Sequence, residues 1–158
     1  MLTYCRYKLC FADSTTLFTL RQAMMPFEIK GMTPLLSVFN MPRSLAFYRE
    51  ILGFEIVSDS GKGDQSSWVW LRLGDIDLML NDQYEPGHVP DLPPGVRTKW
   101  HHDTCLYFGC PDPDAAYEYL TSKGIDCEKP RVAPYGMKQL YLHDPDGYNL
   151  CFQWSVKT

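Results

Sequence analysis

The sequence predicts an α+β fold of two βαβββ modules, and three observations predict it. Asp144-Pro145-Asp146-Gly147 is a turn with a mechanism: proline presets one φ, aspartate caps its own turn and glycine accepts a positive φ. The residues after it alternate, Leu150 and Phe152 against Cys151 and Gln153, as a half-buried strand does. The same alternation stands 72 residues upstream, where Leu78, Met79, Leu80 and Asn81 match Leu150, Cys151, Phe152 and Gln153. A strand-then-helix pattern also opens twice, on either side of a proline-rich stretch. A repeat of about 70 residues is too long for a solenoid and suits paired modules.

In chain order, residues 1–30 read as an N-terminal extension. Cys5, Tyr7, Leu9 and Phe11 alternate with Arg6, Lys8 and Cys10 as a short strand would, and Ser14 is placed to cap a helix running to Met25. Asp13 interrupts the apolar run, which argues against a secretory signal. The first module covers 31–81. Leu36 and Val38 alternate with Leu35, Ser37 and Phe39 in a strand expected to end near Asn40-Met41-Pro42, where proline stops pairing. Ser44 is expected to open a helix whose apolar Leu45, Phe47, Tyr48, Ile51 and Leu52 share one broad face and which stops at Gly53. Residues 54–58 follow as a strand, 60–66 as a turn, and 68–73 with 76–80 as a hairpin about Gly74.

Residues 82–102, with Pro86, Pro90, Pro93 and Pro94, break the pattern as a linker. The second module covers 103–158 and repeats the order. A strand at 104–108 leads through Pro111-Asp112-Pro113 into a helix at 114–124 carrying Ala115, Ala116, Tyr117, Tyr119 and Leu120. Gly124-Ile125-Asp126-Cys127 then repeats Gly53-Phe54-Glu55-Ile56 as the start of the next strand, 137–143 supplies the third, and the stretch after the Asp-Pro-Asp-Gly turn supplies the fourth.

Composition sets outer bounds on function. With 158 residues, 45% of them hydrophobic, the chain is long enough to bury a real core. A formal charge of -4 argues against a nucleic-acid partner, which would call for a basic stripe. No membrane partner is expected either. The six cysteines sit in strand-like apolar runs with no CxxC pair, a pattern of reduced thiols in a cytoplasm rather than a disulfide framework.

Pro42-Arg43-Ser44-Leu45-Ala46-Phe47-Tyr48 followed by Leu52-Gly53-Phe54-Glu55, with Asp112 to Ala116 and the Asp-Pro-Asp-Gly strand, resembles the vicinal oxygen chelate superfamily of glyoxalases, ring-cleaving dioxygenases and bleomycin resistance proteins. The resemblance runs over roughly residues 32–155. It implies that the two modules pair around a cavity with their helices outside. Strand parity then sorts the side chains. Leu36, Val38, Val69, Leu71, Leu78, Leu80, Leu106, Phe108, Leu140, Leu142, Leu150 and Phe152 belong beneath the helices. The opposite parity supplies the candidate ligand-binding residues Phe39, Trp68, Trp70, Arg72, Asp77, Tyr107, Gln139, Tyr141, His143 and Gln153.

The resemblance also implies where a divalent metal would be held: at Thr33, Met79, Cys105 and Cys151. None of these is a histidine or carboxylate, and a hard octahedral site needs oxygen and imidazole donors. No metal and no other cofactor is therefore expected. His101 and His102 read as a surface or linker pair, since adjacent strand residues point to opposite faces. His143 has the parity to act as an acid or base, but no partner for it is legible.

Two functions from different classes stand. One is a metal-free binding protein resembling the bleomycin resistance group, holding an aromatic or cationic ligand between aromatic side chains, with Trp68, Trp70 and Asp77 favouring a cation and Arg72 opposing it. Tyr135-Gly136-Met137-Lys138 supports it, as a two-change match to the Trp-Gly-Met-Arg stretch of that group. The alternative is a glyoxalase-like lyase, isomerase or dioxygenase with a displaced metal site. Either is expected to be a cytoplasmic homodimer whose partner is a small molecule, because the family often builds its cavities across a pair.

Overall fold

The computed structural model describes residues 30–82, 84, 99 and 101–156. The strand and helix expected between residues 5 and 25, and most of the 82–102 linker, lie outside them. Thr33–Thr158 form one compact unit. Its two four-stranded sheets have equivalent strand orders, β1-β4-β3-β2 and β5-β8-β7-β6, so the α+β fold of two βαβββ modules is the one observed.

In the first module β1 (Leu35–Val38) pairs parallel with β4 (Ile76–Asp82), and β4 and β2 (Glu55–Asp59) flank β3 (Trp68–Leu73) antiparallel. The helix between β1 and β2 starts earlier than Ser44. Asn40 is its N-cap, its side chain accepting from the Arg43 N–H at 3.0 Å, and Pro42 sits in the first turn, where its missing N–H costs nothing. The helix α1 (Met41–Leu45) then widens into a π-helical turn, Ala46–Ile51. That widening lets the successive residues Phe47 and Tyr48 both face the core, edge to face with ring centroids 5.2 Å apart. Gly53, at φ +82°, ends it. In β2 the register shifts between Ile56 and Ser58, and the intervening Val57 bulges outward, exposed.

The second module repeats this strand order, with a plain α-helix and a broken second strand. β5 (Cys105–Gly109) pairs parallel with β8 (Asn149–Ser155), and β8 pairs antiparallel with β7 (Met137–His143). The helix α2 (Pro113–Ser122) is capped by Asp112, which accepts from the Asp114 and Ala115 N–H groups. The strand expected from Gly124 makes only a single bridge, Cys127 to Leu142, before it is interrupted. That bridge is the counterpart of the Ile56–Leu71 pair. Pro130 has no N–H for the ladder, so pairing resumes only at β6 (Arg131–Val132).

All twelve residues assigned by parity to the helical side lie in, or pack against, one hydrophobic core that runs through both modules. Leu71, Leu80, Leu140 and Leu150 are fully buried, each contributing about 2–3 kcal/mol of transfer free energy. A one-residue slip of any of these strands would turn its leucines to water, which fixes the register. Between the modules, the Tyr119 hydroxyl of α2 donates to the Ile51 carbonyl at the end of the π-helical turn, 3.1 Å away.

The strongest tie between the modules is the Asp-Pro-Asp-Gly turn itself. Asp146 reaches the first module, where its Oδ1 accepts from the Phe39 N–H and its Oδ2 from the Ser44 hydroxyl, both at 2.7 Å. Asp144 accepts from the Tyr48 hydroxyl at 2.8 Å, while its other oxygen takes the Asp146 and Tyr148 N–H groups and closes the turn. Tyr148 Oη accepts from the Ser37 N–H at 3.1 Å, and His101 lies over the Tyr148 ring with centroids 3.8 Å apart. His101 is thus half-buried at this junction rather than on the surface, whereas His102 is exposed. Burial pushes the Asp144 carboxyl up to about 6 and raises that of Asp146, and the Tyr48 hydroxyl, buried beside Asp144, is raised well above its usual value.

Candidate functional site

The open face of the second module is built in rows, because residues paired across neighbouring strands point the same way. One row runs Arg131, Gln139, Gln153 across β6, β7 and β8. The next runs Tyr141, Cys151, Tyr107 across β7, β8 and β5.

In the second of these rows the small central residue decides the geometry. Cys151 is 0% exposed, and the tyrosines on either side lean together until their hydroxyls are 3.4 Å apart. Both rings remain open to solvent, Tyr107 at 55% and Tyr141 at 45% exposure. The hydrogen bond with Tyr107, with some burial, raises the Tyr141 hydroxyl pKa, so it stays a neutral phenol. In the row below, the Tyr135 hydroxyl donates to Gln139 Oε1 at 2.9 Å, and Gln139 Nε2 donates to Gln153 Oε1 at 2.8 Å. Both ends of the buried Gln139 amide are engaged, so it forms a fixed polar floor. A cavity of about 290 Å³ opens beside these rows, walled by Glu128, Lys129, Arg131, Val132 and Ala133 with Gln139 and Tyr141.

The first module's open face is closed upon itself. Arg72 and Asp77 are cross-strand partners in a two-pronged ion pair, Nε to Oδ1 at 2.7 Å and the second nitrogen to Oδ2 at 3.0 Å. Arg72 holds the Asp77 carboxyl below its usual range. The Arg72 guanidinium also lies 5.4 Å from the centre of the Trp70 ring. The cation over that indole is the chain's own. The Trp70 N–H is enclosed without a well-formed hydrogen bond, although it leans toward Asp77 enough to help lower that pKa. Trp68 shares the face two residues away, half-buried opposite Asn81.

Two candidates belong elsewhere. Phe39 follows β1, is buried, and stacks on Tyr84 at 5.9 Å, so it presents no open ring. Strand parity failed there because the strand had already ended at Val38. His143 is exposed at the end of β7 and lines a separate groove of about 410 Å³ with Arg43, Phe47 and Ile51 of the first module's helical segment. Asp144 closes the adjacent turn through backbone N–H groups, without the imidazole.

The positions where a family metal would be held do not fit one. Thr33 and Met79 are half-buried and supply no imidazole or carboxylate, and burial raises the Cys105 and Cys151 thiols, keeping them protonated at neutral pH. Cys151 is moreover covered by the paired tyrosines. Among the described residues no group of three histidine, cysteine or acidic side chains is placed to hold a metal, and the four described cysteines are free.

Residues 128–133 had no role in the sequence reading, which placed a strand directly after Gly124. The missed signal was Pro130, which holds the chain off the sheet edge and makes it a cavity wall.

The same fold recurs in known proteins. A family profile described as the Glyoxalase/Bleomycin resistance protein/Dioxygenase superfamily matches residues 32–152. Protein YaeR of Escherichia coli (strain K12) is 34% identical over 116 residues, which is 68% of this chain and 81% of YaeR. A bleomycin resistance determinant encoded on the transposon Tn5 superimposes with a TM-score of 0.60 at 25% identity, covering 82% of this chain and 100% of that one. A bleomycin-binding protein in complex with bleomycin gives 0.58 at 25% identity, covering 81% and 100%.

Proposed function

Because the chain belongs to the glyoxalase/bleomycin resistance protein/dioxygenase superfamily, we propose that it is a metal-free small-molecule-binding protein that holds an aromatic ligand against the open face of its second module. The observation that carries this reading is the pair Tyr107 and Tyr141, joined over a buried Cys151 and standing beside a cavity with a fixed polar floor. Exposed aromatic rings held in place by hydrogen bonds offer stacking area at little cost in side-chain entropy. A structural similarity to a protein complexed with bleomycin supports the same reading. The unsuitable donors at Thr33, Met79, Cys105 and Cys151 weigh against a metal-dependent lyase or dioxygenase. Trp68 and Trp70 are the secondary contacts, with Trp70 already occupied by Arg72.

The protein in this reading works in the cytoplasm as a homodimer. Among the described residues no helix is long and apolar enough to cross a membrane. Titration of intrinsic fluorescence with neutral, cationic and anionic naphthalene derivatives tests the binding claim. Saturable quenching by at least one of them, weakened by Tyr107→Ala and by Tyr141→Ala, is the expected result. The claim fails if none binds, or if both variants bind as the parent does. Light scattering that finds a monomer at micromolar concentration removes the dimer.

A further inference from the structure

We infer that the ligand of the second module's cavity is an anion, a small aromatic carboxylate held by Lys129. The inference rests on the binding reading above and adds the sign of the ligand's charge. Three charged side chains line the cavity: Glu128, Lys129 and Arg131. Glu128 and Arg131 pair with each other at 2.9 Å, and their charges cancel. Lys129 has no ion-pair partner among the described residues, so the cavity carries one net positive charge in a chain whose formal charge is -4.

The first module has the opposite balance. Asp77 is neutralised by Arg72, and Glu55, the cross-strand neighbour of Arg72 on β2, leaves that row negative. Asp77, the carboxylate that favoured a cation beside Trp68 and Trp70, is thus engaged by Arg72, and the charge left on that face is carried by Glu55. An aromatic acid finds what it needs at the second module: Val132, Ala133 and the Tyr141 ring as apolar walls, and an ammonium at the rim. The Tyr141 phenol can turn its proton toward an acceptor, which a carboxylate is and an ammonium is not. At about 290 Å³ the cavity lies at the small end of ligand pockets, the scale of one or two fused rings.

Lys129 and Glu128 are both exposed, so each can be changed without disturbing the core, and water screening keeps their effects modest. The test uses the full chain at low salt with three probes of one shape: 2-naphthoate, 2-naphthylmethanol and 2-naphthylmethylammonium. Naphthoate should bind tightest. Lys129→Gln should weaken naphthoate about three- to fivefold and leave naphthylmethanol unchanged. Glu128→Gln, which releases Arg131, should strengthen naphthoate by a similar factor. The inference is overturned if the ammonium binds as tightly as the carboxylate or tighter, or if Lys129→Gln leaves the naphthoate-to-naphthylmethanol ratio unchanged. If none of the three binds, the binding reading itself falls, a failure distinct from binding with the wrong charge preference.

Discussion

Replacing Asp144 with asparagine should change how stability depends on pH. Asp144 is 5% exposed. Burial raises its carboxyl, the Tyr48 hydrogen bond opposes that rise and the nearby Asp146 charge adds to it, with the result at about 6. In the unfolded chain the same carboxyl titrates near 3.9, so the folded chain holds this proton the more tightly. The stabilising contribution is therefore fully present below about pH 4 and is lost as the pH rises to about 6, staying lost above it. The gap between the two values is worth about 3 kcal/mol. Asparagine keeps an oxygen for the Asp146 and Tyr148 N–H groups and an amide that the Tyr48 hydroxyl can accept from, but has no proton to lose. Urea unfolding of both proteins between about pH 4 and pH 7.5 gives the difference in unfolding free energy. Parent minus variant should fall by about 2–2.5 kcal/mol across that range, the rest of the gap lying below about pH 4. Tyr48 is raised and stays protonated throughout. Asp146 titrates in both proteins, and its repulsion with Asp144 is already contained in the raised Asp144 carboxyl. A difference that stays flat would mean that the buried carboxyl titrates as it does in water, and the account of this junction would be wrong.

Other perturbations follow from the same contacts. Asp146→Ala removes the carboxylate that takes the Phe39 N–H and leaves the Ser44 hydroxyl only the Asn40 carbonyl, and should cost about 1–3 kcal/mol in urea melts, with Ser44→Ala adding less on top of it than it costs alone. Gly147→Ala forces a side chain into φ +90° and should lower stability by about 1–2 kcal/mol without changing the fold seen by circular dichroism. Arg72→Ala should let the Asp77 carboxyl rise toward its ordinary value in an NMR titration, while the exposed position of the pair keeps the loss of stability small.

Much of this architecture is legible residue by residue. Alternation alone places Leu36, Val69, Leu78, Leu140 and Leu150 on the core side, because a strand with one buried face has no other register. It also puts Tyr107, Tyr141, Gln139 and Gln153 on the opposite face, where the structure joins them in hydrogen-bonded pairs. What local reasoning misses is long-range partnership. Ser44 looks like a helix cap, but its hydroxyl serves Asp146, 102 positions away, and Asn40 takes the cap. The two aspartates of the turn read as turn formers, which they are, but nothing nearby in sequence shows that their carboxylates enter the other module. His101 reads as a linker residue because its neighbour Tyr148 is distant in the chain. Pro130 carried a readable signal that repeat symmetry overrode.

The central claim, that an aromatic ligand is held by side chains without a metal, is tested most directly by measuring ligand binding to protein exhaustively treated with a chelator, with metal content determined by elemental analysis on the same sample. The account predicts that a naphthalene probe binds the stripped protein as tightly as the untreated one and that added nickel, zinc, iron or manganese changes nothing. Binding lost on stripping and restored by one of these ions at about one per chain would contradict it.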